Sequence, residues 1–186
     1  AQGPPNRLRL LTHSWAWLKK PSTATNKDKF SRNSGIQSTP FYLVNFPVQS
    51  VLDGIDAAAS VGLEVKINCV VRKGVNHDSV GPLARHFRGS GHVLRFIEFM
   101  DVGITNGWKL DQVVTSAEIL AAIERETEVV PMSAHYPGEV ANRYGYADGS
   151  GEIGIIASVT KPFCRSCTRA RLSSDGKLYT CLFSAQ

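Results

Sequence analysis

The sequence predicts an α/β chain in which parallel βα units are followed by a small antiparallel portion with the outline of a metal site. Three observations support this. From Ser50 to about residue 127, helical and strand-like periods alternate as helix, strand, helix, strand, helix with short links, the signature of βα units and a parallel sheet. From Val129 the texture changes to a long glycine-bearing connection, one strand and a hairpin. That hairpin gathers three of the four cysteines of the chain.

A chain of 186 residues with 42% hydrophobic content is long enough for one domain, or a domain with an appendage, and can fill a core. No run approaches the length of a membrane-spanning helix and the start lacks the apolar stretch of a secretory signal, so neither membrane nor export is expected. Four cysteines in a chain this long do not make a secreted disulfide scaffold, and the thiols are read as reduced and cytoplasmic. The net charge is +5, but residues 1–40 hold seven Lys or Arg against one Asp, a balance of +6 that leaves −1 for the rest. A nearly neutral body argues against nucleic acid as a partner.

Residues 1–47 have no sustained period and read as an irregular or disordered basic segment, with two strand-like islands at 7–11 and 41–46. This basic, acid-poor stretch also fits an organelle transit peptide, so the mitochondrial matrix is the alternative location. Ser50 with Asp53 resembles a capping box and Gly62 a helix stop, which predicts a helix over 51–61. A strand over 63–71 follows, with Leu63, Val65, Ile67, Cys69 and Val71 on an apolar face and Glu64, Lys66 and Asn68 on a polar one that needs a partner or a ligand. A second helix starts at Asn76–Ser79 and stops at Gly89, and a strand over 93–100 carries Arg95 on one face and Glu98 on the other. Thr115 and Glu118 form a capping box for a helix to about residue 127. A boundary falls near residue 128, after which 135–152 reads as a long connection and 151–159 as a strand. Two βα units are too few to close a barrel, so 48–128 reads as part of a larger α/β architecture.

The stretch Lys161 to Leu182 carries the chemistry. Cys164 and Cys167 form a C-x-x-C pair, and Cys181 follows at the far end of a hairpin whose tight turn is Ser174, Asp175 and Gly176. Three thiolates converging on one point suit an iron–sulfur cluster with one open iron, or zinc completed by Cys69 or by one of His13, His77, His86, His92 and His135. A disulfide or ordinary buried thiols fit the same spacing. Strand alternation puts Cys167, Arg169 and Arg171 on one face, and two guanidinium groups beside a thiolate site suit an anion such as a phosphate. The alternative for the arginines is a solvated basic edge. The register is decisive. A two-residue turn sets Cys181 opposite Ala170, whereas a three-residue turn with Gly176 left-handed sets it opposite Arg169, on the face of both arginines.

VKINCVV, RFIEFMDVG and FCRSCTRARLSSDGKLYTCLF together resemble the molybdenum cofactor biosynthesis protein A family, from about Ser50 to Ser184. The resemblance implies a radical S-adenosylmethionine enzyme that cyclises GTP to the pyranopterin precursor. It implies a partial (βα) barrel fragment over 48–128 and a C-terminal iron–sulfur subdomain over 129–186. Carried over by position, Cys164, Cys167 and Cys181 match the ligands of a 4Fe–4S cluster, and Arg169, Ala170, Arg171 and Lys66 match GTP-binding residues. Met100 matches a residue at the S-adenosylmethionine site. The implied partners are GTP, the cyclic pyranopterin monophosphate synthase and a second copy of the chain. No cysteine precedes Cys69, so the C-x-x-x-C-x-x-C motif of the family's first cluster is absent. The expectation is a truncated member that binds one cluster and GTP and does not use S-adenosylmethionine on its own. The alternative is a non-catalytic zinc or iron–sulfur interaction module.

Overall fold

A five-stranded mixed sheet in the order β1-β2-β5-β4-β3 organises the chain. The structure, a computed structural model, describes residues 48–101, 107–164, 169–172 and 176–181. The expectations for residues 1–47, for Cys167 and for the turn residues 173–175 lie outside these. Strands β1 (Lys66–Val71), β2 (Val93–Glu98) and β5 (Glu152–Ile156) run parallel, with Asn68 beside Arg95 and Arg95 beside Gly154. Strand β4 (Asn142–Tyr146) returns antiparallel to β5, and β3 (Val129–Met132) antiparallel to β4. The chain is therefore α/β with both kinds of pairing in one sheet.

Alternation gives the sheet two unlike faces. Cys69, Val71, Leu94, Phe96, Ile153, Ile155 and Tyr146 form one face, and it is buried under three helices. Helix α1 (Val48–Ser60) offers Leu52 and Ile55, α2 (Val80–Phe87) offers Val80, Leu83, Ala84 and Phe87, and α3 (Ser116–Glu124) offers Ile119 and Ile123. The buried Tyr146 hydroxyl donates to Ala84 O at 2.7 Å, tying β4 to α2. The opposite face carries Lys66, Asn68, Arg95 and Arg143, all half-buried.

Helix α1 begins at Val48, before the expected cap, and the Asp53 carboxylate accepts from the Gln49 amide at 2.8 Å instead of capping a helix start. Its end is as expected: Gly62 has φ +78°, and Gly62 N and Leu63 N donate to Ala59 O and Ala58 O, closing a Schellman motif. The second helix splits into a 3-10 turn, His77–Ser79, and α2. The capping box of α3 is present. Thr115 Oγ1 accepts from Glu118 N at 3.2 Å, and Thr115 N donates to the Glu118 carboxylate at 2.8 Å. The stretch 135–152, expected as a connection, contains β4. Its pattern NRYGY holds one glycine and no β-branched residue, and β5 and β3 on either side supply the pairing that local propensity does not.

Candidate functional site

The parallel strands β1, β2 and β5 end on one edge of the sheet, the edge at which α/β proteins generally place ligands. Met100 lies two residues past β2 on that edge and is half-buried. The same edge launches the cysteine segment: Ala157 follows β5, and Cys164 comes seven residues later.

Glu98, the last residue of β2, fixes that launch. Its carboxylate has 0% exposure. Oε1 accepts from Ser116 N at 2.6 Å and Thr160 Oγ1 at 2.5 Å, and Oε2 accepts from Val159 N at 2.7 Å and Thr160 N at 2.8 Å. Glu98 O accepts from Ser158 Oγ at 2.9 Å. One side chain thus joins β2, the positive end of α3 and the turn between β5 and Cys164. The sequence signal was a carboxylate on an otherwise apolar strand face, because such a charge survives only if fully hydrogen-bonded.

The hairpin formed by β6 (Arg171–Leu172) and β7 (Leu178–Tyr179) pairs Arg171 with Tyr179 and Leu172 with Leu178. Continued outward, that register sets Arg169 opposite Cys181, and Gly176 has φ +81°. This is the register of the three-residue turn. Cys164, Arg169, Ala170 and Cys181 are all exposed, and the Arg169 guanidinium lies over the Phe163 ring, 4.7 Å from its centroid. Cys164 carries a free thiol, the chemistry that a thiolate-bound metal needs. Because Cys167 lies outside the described residues, no set of three candidate ligands is complete among them.

Cys69, a candidate fourth ligand for zinc, is committed elsewhere. It is 8% exposed on the helix-covered face, and burial pushes its thiol up to about 12. A thiol that resists ionisation is a poor metal ligand. Two of the candidate histidines have local partners: His77 Nδ1 accepts from Gly74 N at 3.1 Å, and His135 lies 3.6 Å from the Glu139 carboxylate.

Lys66 opens β1 on the face opposite the helices, beside Val93 of β2. Next along that face, Arg95 Nε donates to Asn68 Oδ1 at 2.9 Å. Arg95 lies flat across Gly154, where a Cβ would meet its Cγ at 2.9 Å. Arg143 pairs with Glu152 farther along the sheet. Asn68 and Gly154 thus fix a second basic residue near Lys66, which the sequence reading placed only as a charge embedded in a strand. A cleft of about 280 Å³ between α2 and α3 is lined by Lys73, His77, Glu118 and Arg125, and of the candidate metal ligands read from the sequence it includes His77 but no cysteine.

Residues 92–186 match the model of the family described as Molybdenum Cofactor Synthesis C. The chain is 57% identical over 140 residues to a protein of Xanthomonas axonopodis pv. citri named GTP 3',8-cyclase, covering 75% of this chain and 42% of that one. It is 52% identical over 143 residues to the GTP 3',8-cyclase of Acidothermus cellulolyticus, covering 76% of this chain and 40% of that one. It is 47% identical over 141 residues to that of Staphylococcus epidermidis, with 76% and 42% covered. The chain spans about two fifths of the length of these curated relatives.

Proposed function

The chain belongs to the Molybdenum Cofactor Synthesis C family, and from that membership we propose that it is the nucleotide-receiving portion of a GTP 3',8-cyclase, with a 4Fe–4S cluster on Cys164, Cys167 and Cys181. In this reading 48–128 is a fragment of a (βα) barrel and 129–186 an iron–sulfur and substrate-binding subdomain, preceded by a basic segment over 1–47. The observation that carries it is the hairpin register, which aligns Cys181 with Arg169 on the strand that continues into Arg171. The exposure of Cys164 and Cys181 supports it further. A cluster held by three thiolates supplies one open iron as a Lewis-acidic contact for the nucleotide.

Arg169 and Arg171 then receive the phosphates in bidentate fashion, Ala170 between them lets the nucleotide approach the backbone, and Lys66 contacts it from the open sheet face. Met100, at the carboxyl edge of the strands, contacts S-adenosylmethionine. No cysteine precedes Cys69, so this chain alone has no C-x-x-x-C-x-x-C motif with which to cleave S-adenosylmethionine reductively, and it produces no 5'-deoxyadenosine.

Calorimetry on the iron-reconstituted chain tests the nucleotide half of this reading. GTP binds more tightly than guanosine, its affinity falls with salt, and Arg171→Ala weakens it by more than about 1.5 kcal/mol, the value of a charged hydrogen bond. Equal affinities for GTP and guanosine would overturn the assignment of the arginines.

A further inference from the structure

Arg72 follows β1 directly, and its place in the fold does not look like that of a solvated surface arginine. Val71 points into the core at 0% exposure, so alternation turns Arg72 to the opposite face, the one that carries Lys66 and Asn68. Val71 pairs with Glu98 across the parallel ladder, so Arg72 falls beside Phe99. Its guanidinium lies over that ring, with the central carbon 5.0 Å from the centroid. Arg72 Nε is buried and has no hydrogen-bond partner, and none of the ion pairs among the described residues includes Arg72.

The backbone at this position is held rigidly. The buried Asn76 side chain accepts from Arg72 N at 2.8 Å and donates to Val70 O at 2.8 Å, and Arg72 forms an isolated antiparallel bridge with Val113. Its position over Phe99 holds the head group in a cation–π contact. A guanidinium that has lost water at one nitrogen without gaining a partner is costly, and a bound anion is one of the partners that would remove that cost. Its fork matches the two oxygens of a carboxylate or phosphate.

We propose that Arg72 is a binding residue for an anionic group, a carboxylate or phosphate, of a ligand lodged at the carboxyl ends of β1 and β2. The proposal rests on the reading above for the presence of a ligand on this face. Two sources supply that chemistry: the triphosphate of GTP and the α-carboxylate of S-adenosylmethionine.

Calorimetry on the iron-reconstituted full chain tests it with two matched pairs, GTP against guanosine and S-adenosylmethionine against 5'-methylthioadenosine, which lacks the carboxylate. Arg72→Met keeps the length and the contact with Phe99, and Arg72→Lys keeps the charge without the fork. The expected result is that Arg72→Met weakens one anionic ligand by about tenfold or more, the loss of a charge-assisted hydrogen bond, and leaves its uncharged counterpart unchanged. Arg72→Lys recovers part of the loss. The pair that responds names the source.

Equal losses for both members of each pair, no change in any ligand, or no binding of either anion by the wild-type chain would overturn the proposal. If GTP binding depends on Arg171 while neither anion responds to Arg72, this inference fails and the nucleotide reading stands. If S-adenosylmethionine responds to Arg72 and GTP does not bind, the inference stands and the nucleotide reading fails.

Discussion

Glu98 is the residue on which the geometry of the site depends most. Its carboxylate satisfies three backbone N–H groups, of Ser116, Val159 and Thr160, in a place with no access to water. An amide at that position offers one acceptor oxygen and turns an NH2 group toward N–H donors. Glu98→Gln is therefore expected to cost about 3 kcal/mol, the scale of breaking a buried charged network, as measured by urea unfolding. A loss under 1 kcal/mol would mean that the turn over 158–160 is held by other contacts. The charge in β2 was legible in the sequence, but its partners, 18 and about 60 residues away, were not, because hydrogen bonds across such distances follow from sheet order. The register that sets Arg169 opposite Cys181 was legible because hairpin geometry is local.

At the scale of elements, the β6–β7 hairpin is where a small change in backbone propensity has the largest functional consequence. Gly176 at φ +81° sits in the left-handed region, where a Cβ costs about 1 kcal/mol and a β-branched side chain more. A turn one residue shorter sends every side chain beyond it to the other face. Gly176→Val is expected to lower iron retention after reconstitution while leaving the unfolding midpoint of the five-stranded sheet unchanged. Gly176→Asn, which tolerates positive φ, retains iron. Full retention by the valine variant would separate the turn from the proposed metal site. The helix ends divide in the same physical way. The Thr115–Glu118 box and the Gly62 stop were readable from local chemistry, whereas Asp53 looked like a cap and instead bonds to Gln49 within the helix.

At the scale of the whole molecule, the alternation of helix and strand was readable up to α3, and the sheet order was not. Strand β5 inserts beside β2 and β4 and β3 add antiparallel strands, so residues on both sides of 128 share one sheet. NRYGY becomes a strand because its neighbours offer a ladder, a reason that no window of sequence contains. The family was readable because thiol spacing and arginine placement are local, and it agrees with the match over residues 92–186. The most direct measurement is iron and acid-labile sulfide on the anaerobically reconstituted chain, followed by electron paramagnetic resonance of the reduced protein with and without GTP. About four iron and four sulfide per chain, as one 4Fe–4S cluster requires, and a spectrum that changes with GTP but not with guanosine are the expected result. A colourless protein that takes up zinc, or a cluster whose spectrum ignores GTP, would contradict it.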